Sequence, residues 1–131
     1  MIYKIPDKKR AIDLVKSAKE DIAYTLGLTI SEASANTIVR NIYESFRMLG
    51  ESLLIAKGIK ETDHVASINE LLKLNVETSR PKYTIENLRK LRHSINYYGY
   101  KANSEEAKDA VSIAKSCFNQ LFNEINKMIN K

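Results

Sequence analysis

The sequence predicts an all-α protein, an antiparallel up-and-down four-helix bundle with an additional short helix, built as one domain over residues 1–131. Three observations carry this. Apolar residues recur at three- and four-residue steps along most of the chain, the period of an amphipathic helix. Four Gly and two Pro are too few for the turns that many short strands require. The stretches between periodic segments are short, so successive helices are expected to pack as antiparallel neighbours.

The first helix is expected from Lys8 to Leu26, with Asp7 as N-cap, Gly27 as stop, and Ile12, Val15, Ala18, Ile22 and Leu26 as its apolar positions. A second runs from Glu32 or Ala33 to Lys57. Thr29 and Ser31 compete as its cap, and Thr29 with Glu32 fits a capping box. Its stripe is Ile38, Ile42, Phe46, Leu49, Leu53 and Ala56, and Gly58 ends it. Gly50 sits inside this helix, where glycine usually marks a close approach of a neighbouring helix. A short third helix, Asp63 to Asn75, has Thr62 or Asp63 as cap and Val65, Ile68, Leu71 and Leu72 as apolar positions; His64 reads as a helix-start residue. Residues Val76–Lys82 form a basic linker in which Pro81 stops any helix entering from behind. The fourth helix starts with Thr84 as cap and Tyr83 with Leu88 as a hydrophobic staple, and stops near Gly99. The fifth begins at Asn103 or Ser104, with Glu105 and Glu106 in the first turn. Ala107, Ala110, Val111, Ala114, Phe118, Leu121, Ile125 and Met128 make its stripe.

A hydrophobic content of 44% with 28% charged residues is that of an ordinary soluble globular chain, long enough for a single core. No apolar run approaches the ~18–20 residues of a membrane span. The segment Met1–Arg10 has no apolar core and does not read as a signal peptide. A single cysteine, Cys117, has no partner for an internal disulfide, which suits a reducing, cytoplasmic setting, and its place in the apolar stripe predicts a buried thiol. With two His and one Cys no metal-ligand cluster is expected, and with no glycine-rich phosphate loop no cofactor is expected.

Charge is unevenly placed. Between Leu72 and Lys101 stand seven basic residues (Lys73, Arg80, Lys82, Arg89, Lys90, Arg92, Lys101) against two acids, Glu77 and Glu86. That excess equals the +5 of the whole protein, and the remaining residues cancel. A basic excess confined to one helix and its flanks points to a polyanion or an acidic partner. Its centre is Asn87–Tyr100, N-L-R-K-L-R-H-S-I-N-Y-Y-G-Y.

Two blocks carry a family resemblance. The first is Asn41–His64, with the turn L-L-I-A-K-G-I-K-E-T-D-H at its end. The second is Leu88–Ala107, L-R-K-L-R-H-S-I-N-Y-Y-G-Y-K-A-N-S-E-E-A. Together they resemble the HEPN superfamily of prokaryotic helical-bundle proteins, and the helix order agrees along nearly the whole chain. The resemblance implies a four-helix core with an extra helix, usually as a homodimer. In many members an Arg is followed somewhat over one helical turn later by a His. The motifs of two subunits then meet in a cleft and cleave RNA without a metal, with Arg stabilising charge on the phosphate and His moving protons. Other members bind nucleotides or RNA without cutting. Many pair with a small nucleotidyltransferase, often as toxin and antitoxin.

This chain departs from the nuclease pattern. Where a His is wanted after Arg92 stand Tyr97, Tyr98 and Gly99, and after Arg89 stand Ser94, Ile95 and Asn96. An unperturbed tyrosine titrates near ~10 and is a poor base at neutral pH. On a helical wheel Ile85, Leu88, Leu91, Ile95 and Tyr98 form the apolar face of the fourth helix. Arg89, His93 and Asn96 form the polar face, and Arg92 falls at the edge between them. Arg92 is therefore expected half-buried, either in a dimer cleft holding a phosphate or in a structural ion pair. The tyrosines Tyr97, Tyr98 and Tyr100 serve either as packing around Gly99 or as a platform for a base. Three functions follow. The first is a non-catalytic binder of a nucleotide, an RNA or a nucleotidyltransferase through Arg89, Arg92, Asn96, Tyr98, Tyr100 and Lys101. The second is a metal-independent endoribonuclease using Arg92, His93 and Tyr97. The third is a structural interaction module.

Overall fold

The computed structural model describes residues 2–3, 5–60 and 63–130. Among these, five helices carry the fold: α1 (Lys8–Leu26), α2 (Ala35–Ala56), α3 (His64–Leu72), α4 (Thr84–Tyr98) and α5 (Ser104–Ile129). Two two-residue strands, β1 (Ile2–Tyr3) and β2 (Ile59–Lys60), pair antiparallel, Ile2 with Lys60 and Tyr3 with Ile59. Gly58 turns the chain from α2 into β2 with a φ of 76°, a conformation open to glycine. The Asp7 amide donates to the Ile55 carbonyl at 3.1 Å and ties the N-terminal segment to the end of α2.

α2 is the central helix and packs against α1, α3, α4 and α5. Its sequence accounts for this. Ile38, Ile42, Phe46, Leu49 and Leu53 are buried as the stripe predicts, but so are Val39, Tyr43, Leu54 and Ile55 on its other sides. A helix buried nearly all round needs apolar residues all round. Gly50 marks the crossing with α3: a Cβ at that position would lie 2.0 Å from the Ser67 carbonyl oxygen. α5 contributes Ala107, Ala110, Ile113, Ala114, Cys117, Phe118, Leu121, Ile125 and Ile129 to the core, with Phe46 and Phe118 meeting edge to face at 5.6 Å between centroids. Burial raises the Cys117 thiol above its ordinary 9.0, as expected of an inert core cysteine. No helix among the described residues is long and apolar enough to cross a membrane.

The caps show where local sequence decides and where it does not. Asp7 accepts from the Arg10 amide at 3.0 Å, and Asp63 from the Ala66 amide at 3.0 Å, each opening its helix as expected. Thr62, the other candidate, lies outside the described residues. Asn103 and Glu106 complete a reciprocal capping box on α5, with bonds of 2.8 and 3.1 Å. Gly99, at φ 67°, closes α4 in the left-handed conformation.

Four expectations are corrected. α2 begins at Ala35, because Ser31 and Ser34 bond each other and Ser34 Oγ donates to the Thr29 carbonyl at 2.7 Å, forming a turn in place of the Thr29–Glu32 box. α3 ends at Leu72, before Asn75; Lys82 Nζ reaches the carbonyls of Leu72 and Leu74 there. Thr84 does not cap α4: its hydroxyl donates back to the Pro81 carbonyl at 2.7 Å, and Tyr83, 67% exposed, is not a buried staple. Tyr98 is 78% exposed, so it does not belong to the apolar face of α4, which ends at Ile95.

Candidate functional site

Residues three and four apart share a helix face, so Arg89, Arg92, His93, Asn96 and Tyr97 come to one side of α4. The start of α3 abuts the first part of this face. Asp63, Arg89, Arg92, His93 and Tyr97 line one open hollow of about 320 Å³. Four of the residues singled out from sequence are thus brought together, joined by a carboxylate that sequence showed only as a helix cap.

Each side chain is held differently. The Arg89 guanidinium is clamped by both carboxylate oxygens of Glu86, one turn back, with the second contact at 3.1 Å. Arg92 lies at the edge of the buried face, as its wheel position predicts. Its guanidinium carbon stands 4.7 Å from the centre of the Tyr43 ring on α2, within reach of a cation–π contact. Tyr43 is 1% exposed. Burial raises its hydroxyl pKa, while the adjacent Arg92 guanidinium and the charges of Arg47 and Arg89 pull it back. Arg47 in turn is flanked by Glu44 at 2.6 Å and Glu51 at 2.7 Å. His93 is exposed, its ring 4.6 Å from that of Tyr97 and 5.6 Å from that of Tyr98.

The other predicted residues go elsewhere. Asn96 faces α2, where its side-chain oxygen accepts from Arg40 Nε at 2.8 Å. The Tyr100 hydroxyl donates to Glu106 at 2.8 Å, a bond that raises its pKa, and lines a separate hollow of about 470 Å³ between α4 and α5. Lys101 Nζ donates to the Glu32 carbonyl at 2.7 Å.

The basic segment is also more dispersed than its sequence suggests. Lys73 pairs with Glu70 at 3.5 Å, Arg80 with Asp109 at 2.8 Å, and Lys82 binds the carbonyls at the end of α3. What lines the hollow is Arg89 and Arg92; Arg40 on α2 meets α4 through Asn96, outside that lining. Sequence reasoning missed Arg40 and Tyr43. Their three-residue spacing on α2 was visible, but nothing local told which neighbouring helix that face would meet.

Among the described residues no three His, Cys, Asp or Glu side chains cluster where they could hold a metal ion. No family model, no curated protein and no solved structure matches this chain.

Proposed function

We propose that this chain is a HEPN-like helical-bundle protein that binds a phosphate-bearing ligand, a nucleotide or an RNA, at the hollow on α4, without turning it over. The observation that carries this reading is the convergence of Arg89, Arg92, His93 and Tyr97 on one open hollow. Two guanidiniums with fork geometry suit a phosphate oxygen pair, and exposed aromatic rings beside them suit a base. The family reading brings with it an antiparallel four-helix core, a homodimer and a small nucleotidyltransferase partner. Three contacts support the antiparallel part: as the chain advances from Arg92 to Asn96 to Ala102, their partners on α2 recede from Tyr43 to Arg40 to Asn36.

A second reading, a metal-independent endoribonuclease of toxin–antitoxin type, is favoured by one contact. His93 touches Tyr97 on the same rim as Arg92, so a proton-transfer group and a charge stabiliser share the hollow. One experiment separates the readings. Purified protein and its Arg92→Ala variant are incubated in EDTA with a labelled mixed-sequence RNA, and both binding and cutting are followed. Arg92-dependent binding without cutting supports the binder. Arg92-dependent cutting replaces it with the nuclease. Equal RNA affinity in both proteins, with only the melting temperature changed, leaves a structural interaction module.

A further inference from the structure

The C-terminal end of α4 carries an exposed cluster of three rings. His93 meets two tyrosines: its ring centre is 4.6 Å from that of Tyr97, tilted by 41°, and 5.6 Å from that of Tyr98, edge to face at 67°. Both separations fall in the range of about 4.5–7 Å over which aromatic rings attract one another. Tyr97 is 67% exposed, and Tyr98 more so. Neither hydroxyl bonds a protein group among the described residues, so what the two tyrosines present is ring surface. Leaving that surface in water forgoes the stabilisation that burying a ring brings.

Exposure alone marks nothing here. Tyr24 and Tyr83 are as exposed, but neither meets another ring among the described residues, and the hollow beside Tyr24 is lined by Asp21 and Glu44 with no cation. Tyr97 differs from these, and also from Tyr98, in its surroundings. It lines the hollow together with Arg89, Arg92 and His93, and Tyr98 does not. His93 occupies part of its ring, and most of the side chain remains in solvent. The His93 contact limits rotation of the Tyr97 side chain, so a flat partner meets a ring already in place and less freedom is lost on binding.

We propose that Tyr97, held by His93, takes the face of a purine base, so that the hollow binds purine nucleotides in preference to pyrimidine nucleotides and to sugar phosphates without a base. The proposal rests on the reading of the hollow as a phosphate site, and names what that site holds beside the phosphate. A base is a flat conjugated ring that stacks on a tyrosine while its polar edges stay in water, and a two-ring purine offers more face than a one-ring pyrimidine. His93 acts here as a positioning residue, through its contact with Tyr97.

The test uses three probes, ribose 5-phosphate, uridine monophosphate and adenosine monophosphate, titrated by calorimetry in EDTA. The wild-type protein is expected to hold adenosine monophosphate about tenfold more tightly than ribose 5-phosphate, with uridine monophosphate between. Tyr97→Ala should bring adenosine monophosphate down to the affinity of ribose 5-phosphate, and leave the latter within about twofold of wild type. Tyr97→Phe keeps the ring and should keep the advantage of the base. Tyr98→Ala, outside the lining, should keep it as well. His93→Ala should lower that advantage, and His93→Phe, which keeps a ring against Tyr97, should restore it; a loss in both would overturn the positioning role. Uridine monophosphate bound as tightly as adenosine monophosphate would overturn the purine preference. An advantage absent from the wild type, or undiminished in Tyr97→Ala, overturns the proposal, and leaves the phosphate reading standing where Arg92→Ala weakens ribose 5-phosphate. Indifference of all three probes to Arg92→Ala overturns the phosphate reading and this one with it. Since Tyr97 and His93 are on the surface, their variants should melt with the wild type, and a lowered melting temperature with an unchanged advantage of the base would make the ring cluster structural only.

Discussion

Replacing Gly50 by alanine should destabilise the protein although alanine is the better helix former. A Cβ on Gly50 falls 2.0 Å from the Ser67 carbonyl oxygen and 2.5 Å from its carbonyl carbon. Ordinary contact begins near 3.4 Å, so α2 and α3 must part by about 1.4 Å, the difference between the two distances. The obstacle is backbone, which has no rotamer to retreat into. α3 also carries Ile68 and Leu71, both 0% exposed, and parting the helices opens a gap under them. Overpacking of this kind costs about 1–3 kcal/mol, and because the clash involves main chain the upper half of that range applies. The loss of contacts under α3 adds to it, while the gain in helix propensity returns up to about 1 kcal/mol. The net expectation is about 2–3 kcal/mol. At roughly 3–5 °C per kcal/mol for a chain of this size, the melting temperature should fall by about 10 °C. Urea unfolding followed by circular dichroism checks the free energy, and a thermal scan checks the shift. A Gly50→Ala variant as stable as wild type, or more so, would refute the close crossing of α2 and α3 at this position.

Asp63→Asn should tighten phosphate binding about twofold in a titration with uridine monophosphate, because it removes the carboxylate from the rim of the hollow, while the melting temperature holds because Asn caps a helix as well as Asp. A weaker affinity would show that the carboxylate assists the site. Asn103→Ala removes both bonds of the α5 capping box and should cost about 1 kcal/mol, read as a shift of roughly 3–5 °C; an unchanged melting curve would mean that α5 does not depend on its cap. Burial raises the Cys117 thiol above 9.0 and the Tyr43 hydroxyl above 10.0. Since the unfolded chain releases these protons first as pH rises, their contribution is complete below pH 9.0 and is lost progressively above it. Urea midpoints measured under reductant should therefore fall on the alkaline side, less steeply in Cys117→Val, and midpoints that rise there would contradict the burial of both groups.

Much of the fold was legible because it is set locally. The limits of α1, the Asp7 and Asp63 caps, the Gly99 stop and the Asn103–Glu106 box each depend on residues within one turn of one another, and periodicity marks most of the buried positions between them, although Val65 and Met128, expected in the stripes of α3 and α5, are exposed. Gly50 was legible for a related reason: a glycine in an otherwise strong helix has few uses besides letting another backbone approach. The misses came where short polar side chains had a choice. Thr29, Ser31 and Ser34 can satisfy backbone groups in a turn or at a helix end, and here the turn takes them and delays α2 to Ala35. Thr84 makes the same choice, bonding backwards to Pro81. The short β1–β2 ladder joins segments distant in sequence and leaves no periodic signal in two residues.

The candidate site was legible by face but not by neighbour. Spacing on a single helix was enough to place Arg89, Arg92, His93 and Tyr97 together, and to put Arg92 at the buried edge. It could not assign partners. Counting charge from Leu72 to Lys101 treats every cation as available, yet Lys73, Arg80 and Lys82 are occupied by groups on α3 and α5 and in the linker. The same count omits Arg40, which lies outside the basic segment and reaches it only because α2 and α4 pack side by side. Local excess charge is therefore a weak measure of a binding site, because the groups that occupy each cation lie on other elements of the fold. Tyr100 and Lys101 show the same limit, because their polar atoms are already bonded to Glu106 and to the Glu32 carbonyl.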